Sequence, residues 1–187
     1  MQVFDYLSVI VSVITGLGMT LVLSAIADLL HARKRVRFYW VSLFWMVFLF
    51  ISQVQIWWGL WDLRETRVWN FGSFLLLLLY PISTYLPARI LLPQLSHDEL
   101  IDLRRHYYEN HRTFFSLMAL IFLVLSTLNP LFFGVPWLSQ PEALTVALFG
   151  LLATAAITPH RWYHMALPVL VGGVALTFIL LFALHLG

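Results

Sequence analysis

LSVIVSVITGLGMTLVLSAIAD, residues 7–28, decides the fold class. It is apolar throughout, carries no charge before Asp28, and exceeds the run of about 20 residues that an α-helix needs to cross a bilayer. A second pattern is laid over the first. Ser8, Ser12, Gly16, Thr20, Ser24 and Asp28 follow one another at every fourth position. Residues four apart lie on successive turns of a helix, so the six form one inclined ridge. Small residues at this spacing let two helix backbones approach closely in lipid, where tight packing replaces the hydrophobic effect. Gly18 and Thr15 widen the smooth area, and Gly16 is the expected centre of close approach. The same ridge could instead line a polar path, because hydroxyls and exposed carbonyls can replace part of a solute's hydration shell. Asp28 would then stand at the inner mouth.

The rest of the chain has the same character. Of 187 residues, 61% are hydrophobic and 11% charged, against about 45–50% and about 25% in soluble domains. The pattern predicts an all-α, polytopic membrane protein forming a single integral membrane domain over 1–187. Six spans are expected at about 4–30, 38–61, 71–92, 114–128, 143–157 and 163–186. The fourth and fifth are short, so NPLFFGVPWLSQPE (129–142) is expected to lie in or dip into the interface. Between the third and fourth spans, SHDELIDLRRHYYENHR (96–112) opens with Ser96 and Glu99 at capping-box spacing. It then places Leu100, Leu103 and Tyr107 on one face. A short amphipathic cytoplasmic helix is expected at about 97–111, lying along the membrane or running into the fourth span, with a surface on which a protein partner could dock.

Charge sets the orientation. The first connection holds Arg33, Lys34, Arg35 and Arg37, the third adds Arg89, Arg104, Arg105 and Arg112, and the fifth holds Arg161. Basic residues mark the cytoplasmic side, which predicts both termini outside the cytoplasm, in a membrane of bacterial inner-membrane type. The net charge of +2 is a topological signal rather than a nucleic-acid footprint, and no nucleic-acid partner is expected. Each even-numbered span starts at the inner face with a basic residue beside aromatics: RFYW (37–40), HRTFF (111–115) and HRWY (160–163). This could be the trace of a repeated hairpin, but it also follows from basic residues meeting an interfacial aromatic belt three times.

Further polar residues lie within the spans. Gln53 and Gln55 sit in the outer half of the second, and Tyr80, Ser83 and Thr84 surround Pro81 in the middle of the third. Amides and hydroxyls in lipid seek partners on neighbouring helices, so these five are candidates for a polar lining. Pro81 removes a backbone donor and marks a hinge or kink. His160 and His164 have the i,i+4 spacing of a helical metal pair, but no Cys or carboxylate stands near them to complete a site. No metal or other cofactor is expected. Cysteine is absent, which removes thiol chemistry, and hydrolase, metalloprotease and phosphate-loop motifs are missing. No catalytic residue is expected, and the chain is read as a non-enzyme. The composition and the ridge favour a small homo-oligomeric membrane protein, a passive channel for an ion or small solute lined by the first span. The alternative is a non-transporting accessory or sensor subunit that acts through protein contacts.

Overall fold

The computed structural model describes residues 3–65, 70–93, 100–134, 136 and 139–178. Among them the chain is helical apart from connections and one two-residue bridge. Helix α1 spans Val3–His31, α2 Trp40–Gly59, α3 Phe71–Leu91, α4 Leu103–Phe133, α5 Gln140–Ile157 and α6 Arg161–Phe178. Four of these, α1 to α4, are long and apolar enough to cross a membrane. Helix α5 contains a shorter apolar stretch, Glu142–Ile157.

The helix ends follow from local chemistry. Asn70 accepts from the Ser73 N–H at 2.8 Å, and the Ser73 hydroxyl accepts from the Asn70 N–H at 3.1 Å. This reciprocal box fixes the start of α3. Asp102 does the same for α4, its Oδ1 accepting from the Arg104 and Arg105 N–H groups at 3.0 Å each. Ser139 caps α5 through the Glu142 N–H. Helix α4 runs into Gly134, whose φ of +62° is the left-handed conformation that ends many helices.

Two expectations change at α4. The helix that carries the fourth expected span does not begin at 114: residues 103–111 are the first turns of a single 31-residue helix, not a separate element. The alternative in which the amphipathic segment runs into the span is the one the structure adopts. Its cause is a continuous buried face of Leu103, Tyr107, His111, Phe114 and Met118, spaced by three or four along one side of the helix. Ser96 and Glu99 lie outside the described residues. The other end also extends further than expected. Helix α4 passes through Pro130 to Phe133, so the first part of 129–142 belongs to the helix.

The core sits where α2, α4 and α6 meet. Trp45 is fully buried and packs edge-on against Phe114 and Phe115, with centroids 5.8 and 5.3 Å apart. Met46, Leu49 and Met118 complete the filling without accessible surface. Helix α4 makes its most extensive contacts with α5 and α3, while α1, α2 and α3 pack together as a second group. Strand β1 (Val36–Arg37) pairs in parallel with β2 (Ile101–Asp102). That bridge ties the first connection to the third and gathers the basic residues of both at one end of the bundle.

Candidate functional site

The α1 ridge is not the face that α1 turns into the bundle. Leu7, Val11, Thr15, Gly18, Val22 and Leu29 are the buried positions. Ser8, Ser12 and Gly16 lie beside them, half-buried, and Thr20, Ser24 and Asp28 are exposed. The ridge therefore starts at the edge of the packed face and winds outward toward the basic end. Two of its hydroxyls bond their own helix: Ser8 donates to the Asp5 carbonyl at 3.0 Å and Thr20 to the Gly16 carbonyl at 2.8 Å. Such back-bonding satisfies a hydroxyl in lipid without water.

Close approach occurs one turn-fraction away from where the sequence suggests. A Cβ built on Gly16 meets nothing within 4 Å, whereas one on Gly18 would stand 2.6 Å from Gln53 Nε2. Gln53 is 1% exposed, and neither its Nε2 nor its Oε1 has a hydrogen-bond partner among the described residues. The absence of a side chain at Gly18 is what lets the amide fit. Gln55 is only half-buried. Ser83 donates to the Tyr80 carbonyl at 2.7 Å and Thr84 to the Pro81 carbonyl at 2.9 Å, so both hydroxyls turn back on α3 beside the proline. Tyr80 packs against both apolar clusters of the bundle. Of the candidate lining residues, Gln53 is brought against Gly18 of α1, while Ser83 and Thr84 bond their own helix.

At its C-terminal end the ridge does meet other charged groups. Ser24 and Asp28 of α1 and Arg89 of α3 line one open cleft of about 340 Å³, with Leu21, Leu29 and Leu92 beside them. No ion pair joins Asp28 to Arg89 or to any other described side chain.

A third polar group lies within the core at the same end. His164, fully buried, has Nε2 2.8 Å from the Thr158 carbonyl and Nδ1 2.8 Å from the Tyr107 hydroxyl. A carbonyl only accepts, so Nε2–H donates to it, and the phenol donates to Nδ1. Both ring nitrogens are satisfied in one neutral tautomer. His111 stands perpendicular to His164 with centroids 5.5 Å apart. Its Nδ1–H donates to the Tyr108 carbonyl at 2.6 Å, and its buried Nε2 has no partner among the described residues. Tyr39 packs edge-on against Tyr107 at 5.6 Å, with its hydroxyl 3.4 Å from that of Tyr108. His160, by contrast, is exposed, so the i,i+4 pair of the sequence points two ways. Among the described residues no group of three or more His, Cys, Asp or Glu stands close enough to hold a metal.

Sequence reasoning missed this cluster as a unit, although the signal was present. The three basic–aromatic segments at 37–40, 111–115 and 160–163 bring Tyr39, His111, Phe115 and Tyr163 to one place, with His164 among them. Their likeness reflects a shared destination as well as a shared depth. Comparison of the chain with protein-family models, curated proteins and solved structures finds no match.

Proposed function

We infer that the protein is a six-span inner-membrane protein, with both termini outside the cytoplasm, that works by contact with other membrane proteins. In this reading it self-associates along the middle part of the α1 ridge, around Gly16 and Thr20, and serves as an accessory or sensor subunit. The observation that supports this is the outward turn of the ridge. From Gly16 on, its polar groups face away from the chain's own core. Polar surface against hydrocarbon is unfavourable, and a second copy of the same smooth ridge covers it with close backbone packing. The exposed first turns of α4, with Arg104, Arg105 and Glu109, are the surface for a cytoplasmic protein partner. Orientation rests on the basic end formed by the first, third and fifth connections.

A passive channel is the second reading, and one observation favours it. Thr20, Ser24 and Asp28 form an exposed polar track that continues into a charged cleft. Because Trp45, Phe114, Phe115 and Met118 fill the core of a single chain, the conduit would run between subunits, with α1 at its axis. Planar-bilayer recording of the purified protein separates the two. Silence across voltage and pH is the result expected of a contact protein. Discrete currents altered by Ser12→Leu would replace that reading with the channel.

A further inference from the structure

The cleft between α1 and α3 brings together three features that point to a ligand of its own. First, it holds one carboxylate and one guanidinium, and these two are not paired with each other or with any other described side chain. Both are exposed, so each is open to a ligand from outside the chain. Second, the cleft lies at the C-terminal ends of two helices long and apolar enough to cross a membrane, where a spanning chain would meet lipid headgroups. Asp28 is in the last turn of α1, directly before the basic turn Arg33–Arg35, and Arg89 is in the last turn of α3. Third, part of its lining is apolar, with Leu21, Leu29 and Leu92 beside the two charges. A ligand that satisfies all three carries an anion and a cationic hydrogen-bond donor on one small head, above a hydrocarbon tail.

We propose that this cleft is a binding site for a phosphatidylethanolamine headgroup. The phosphate sits against Arg89, whose planar fork of donors matches phosphate oxygens. The primary ammonium donates to the Asp28 carboxylate, with the Ser24 hydroxyl beside it. The glycerol and the first acyl carbons lie on Leu21, Leu29 and Leu92. The volume of about 340 Å³ accommodates a head and not a whole lipid, so the tails continue along the outside of α1 and α3. The chemistry also discriminates. Phosphatidylcholine has the same phosphate, but its quaternary ammonium has no N–H to donate to Asp28. Phosphatidylglycerol lacks the cation and leaves Asp28 facing a second negative charge. The described lining comes from one chain, on α1 and the end of α3.

The test is retention of lipid by the full-length protein. The protein is purified from vesicles of equimolar phosphatidylethanolamine, phosphatidylcholine and phosphatidylglycerol, and bound lipid is quantified by mass spectrometry. Wild type is expected to retain phosphatidylethanolamine in excess of both others. Arg89→Gln is expected to lower that retention about tenfold, the loss of a charge-assisted hydrogen bond at about 1.4 kcal/mol per factor of ten. Asp28→Asn is expected to abolish the preference over phosphatidylglycerol while leaving total phospholipid bound. Arg33→Gln, which removes a neighbouring charge outside the cleft, is expected to change nothing. Ala25→Phe fills the cleft with both charges in place and is expected to release the lipid, so it decides the question should a charge variant fail to fold. The proposal is overturned by equal retention of all three lipids, by preference for phosphatidylglycerol, or by an Arg33→Gln effect equal to that of Arg89→Gln, which would signal diffuse attraction to the basic end. Displacement of the lipid by millimolar inorganic phosphate would also overturn it, by assigning the site to a free anion.

Discussion

Substituting Gly18 with alanine, and comparing it with the same change at Gly16, tests the α1–α2 packing directly. A Cβ at Gly18 would lie 2.6 Å from Gln53 Nε2, 2.9 Å from Cδ and 3.0 Å from Oε1. Ordinary contact is about 3.5–4.0 Å, so the amide must retreat by roughly 1 Å. Its end is flexible, but at 1% exposure it moves only by displacing packed neighbours, and overpacking of this kind costs about 1–3 kcal/mol. At Gly16 the new methyl meets open space, and the change gains the helix propensity of alanine, about 1 kcal/mol. That gain applies at both sites and cancels in the comparison. Gly18→Ala is therefore expected to be about 1–3 kcal/mol less stable than Gly16→Ala. The assay is unfolding in mixed detergent, followed by tryptophan fluorescence. Repeating the pair in a Gln53→Ala background should collapse the difference to within about 0.5 kcal/mol, since the clashing atoms are gone. Equal stability of the two single variants, or a difference that survives removal of Gln53, would refute the contact.

Three further outcomes follow from other parts of the fold. Tyr107→Phe leaves His164 Nδ1 without its donor inside the core, and a loss of about 1–3 kcal/mol is expected in the same unfolding assay; no loss would mean that the hydrogen bond does not hold the α4–α6 contact. Asp102→Ala strips the two N–H groups that open α4 of their acceptor, with an expected cost of about 0.5–2 kcal/mol and faster amide exchange at Arg104 and Arg105. Periplasmic-type reporters fused to either terminus should be active and cytoplasmic-type reporters inactive; the reverse result at both ends would overturn the orientation.

The helices were legible as apolar runs, but the start of α5 was not: it begins at Gln140 behind the Ser139 cap, within the segment expected at the interface. The start of α4 was not legible either. Arg104, Arg105, His106, Glu109 and Asn110 make residues 103–111 look like a surface element, and the buried stripe beneath them is visible only once its partners are known. The ridge on α1 was legible as a pattern, but the face that packs was not. Inside a membrane span, Val and Leu suit lipid and core equally, so hydrophobicity no longer tells inside from outside. The small-residue ridge drifts off the buried face because a spacing of four does not match about 3.6 residues per turn. The aromatic–histidine cluster was hidden for a different reason: Tyr107 and His164 are 57 residues apart, and no local spacing joins them. The Asp28–Arg89 cleft likewise depends on which helices become neighbours.

The central claim is that the α1 ridge is a contact between chains. The natural absence of cysteine allows it to be tested by oxidative cross-linking in native membranes, with single cysteines placed one at a time along α1. Cysteine at Ser12, Gly16 or Thr20, on the ridge, should yield a disulfide-linked dimer, while cysteine at Val9, Val13 or Leu23, exposed but off the ridge, should not. Cross-linking at the off-ridge positions with none on the ridge, or none anywhere, would contradict the account.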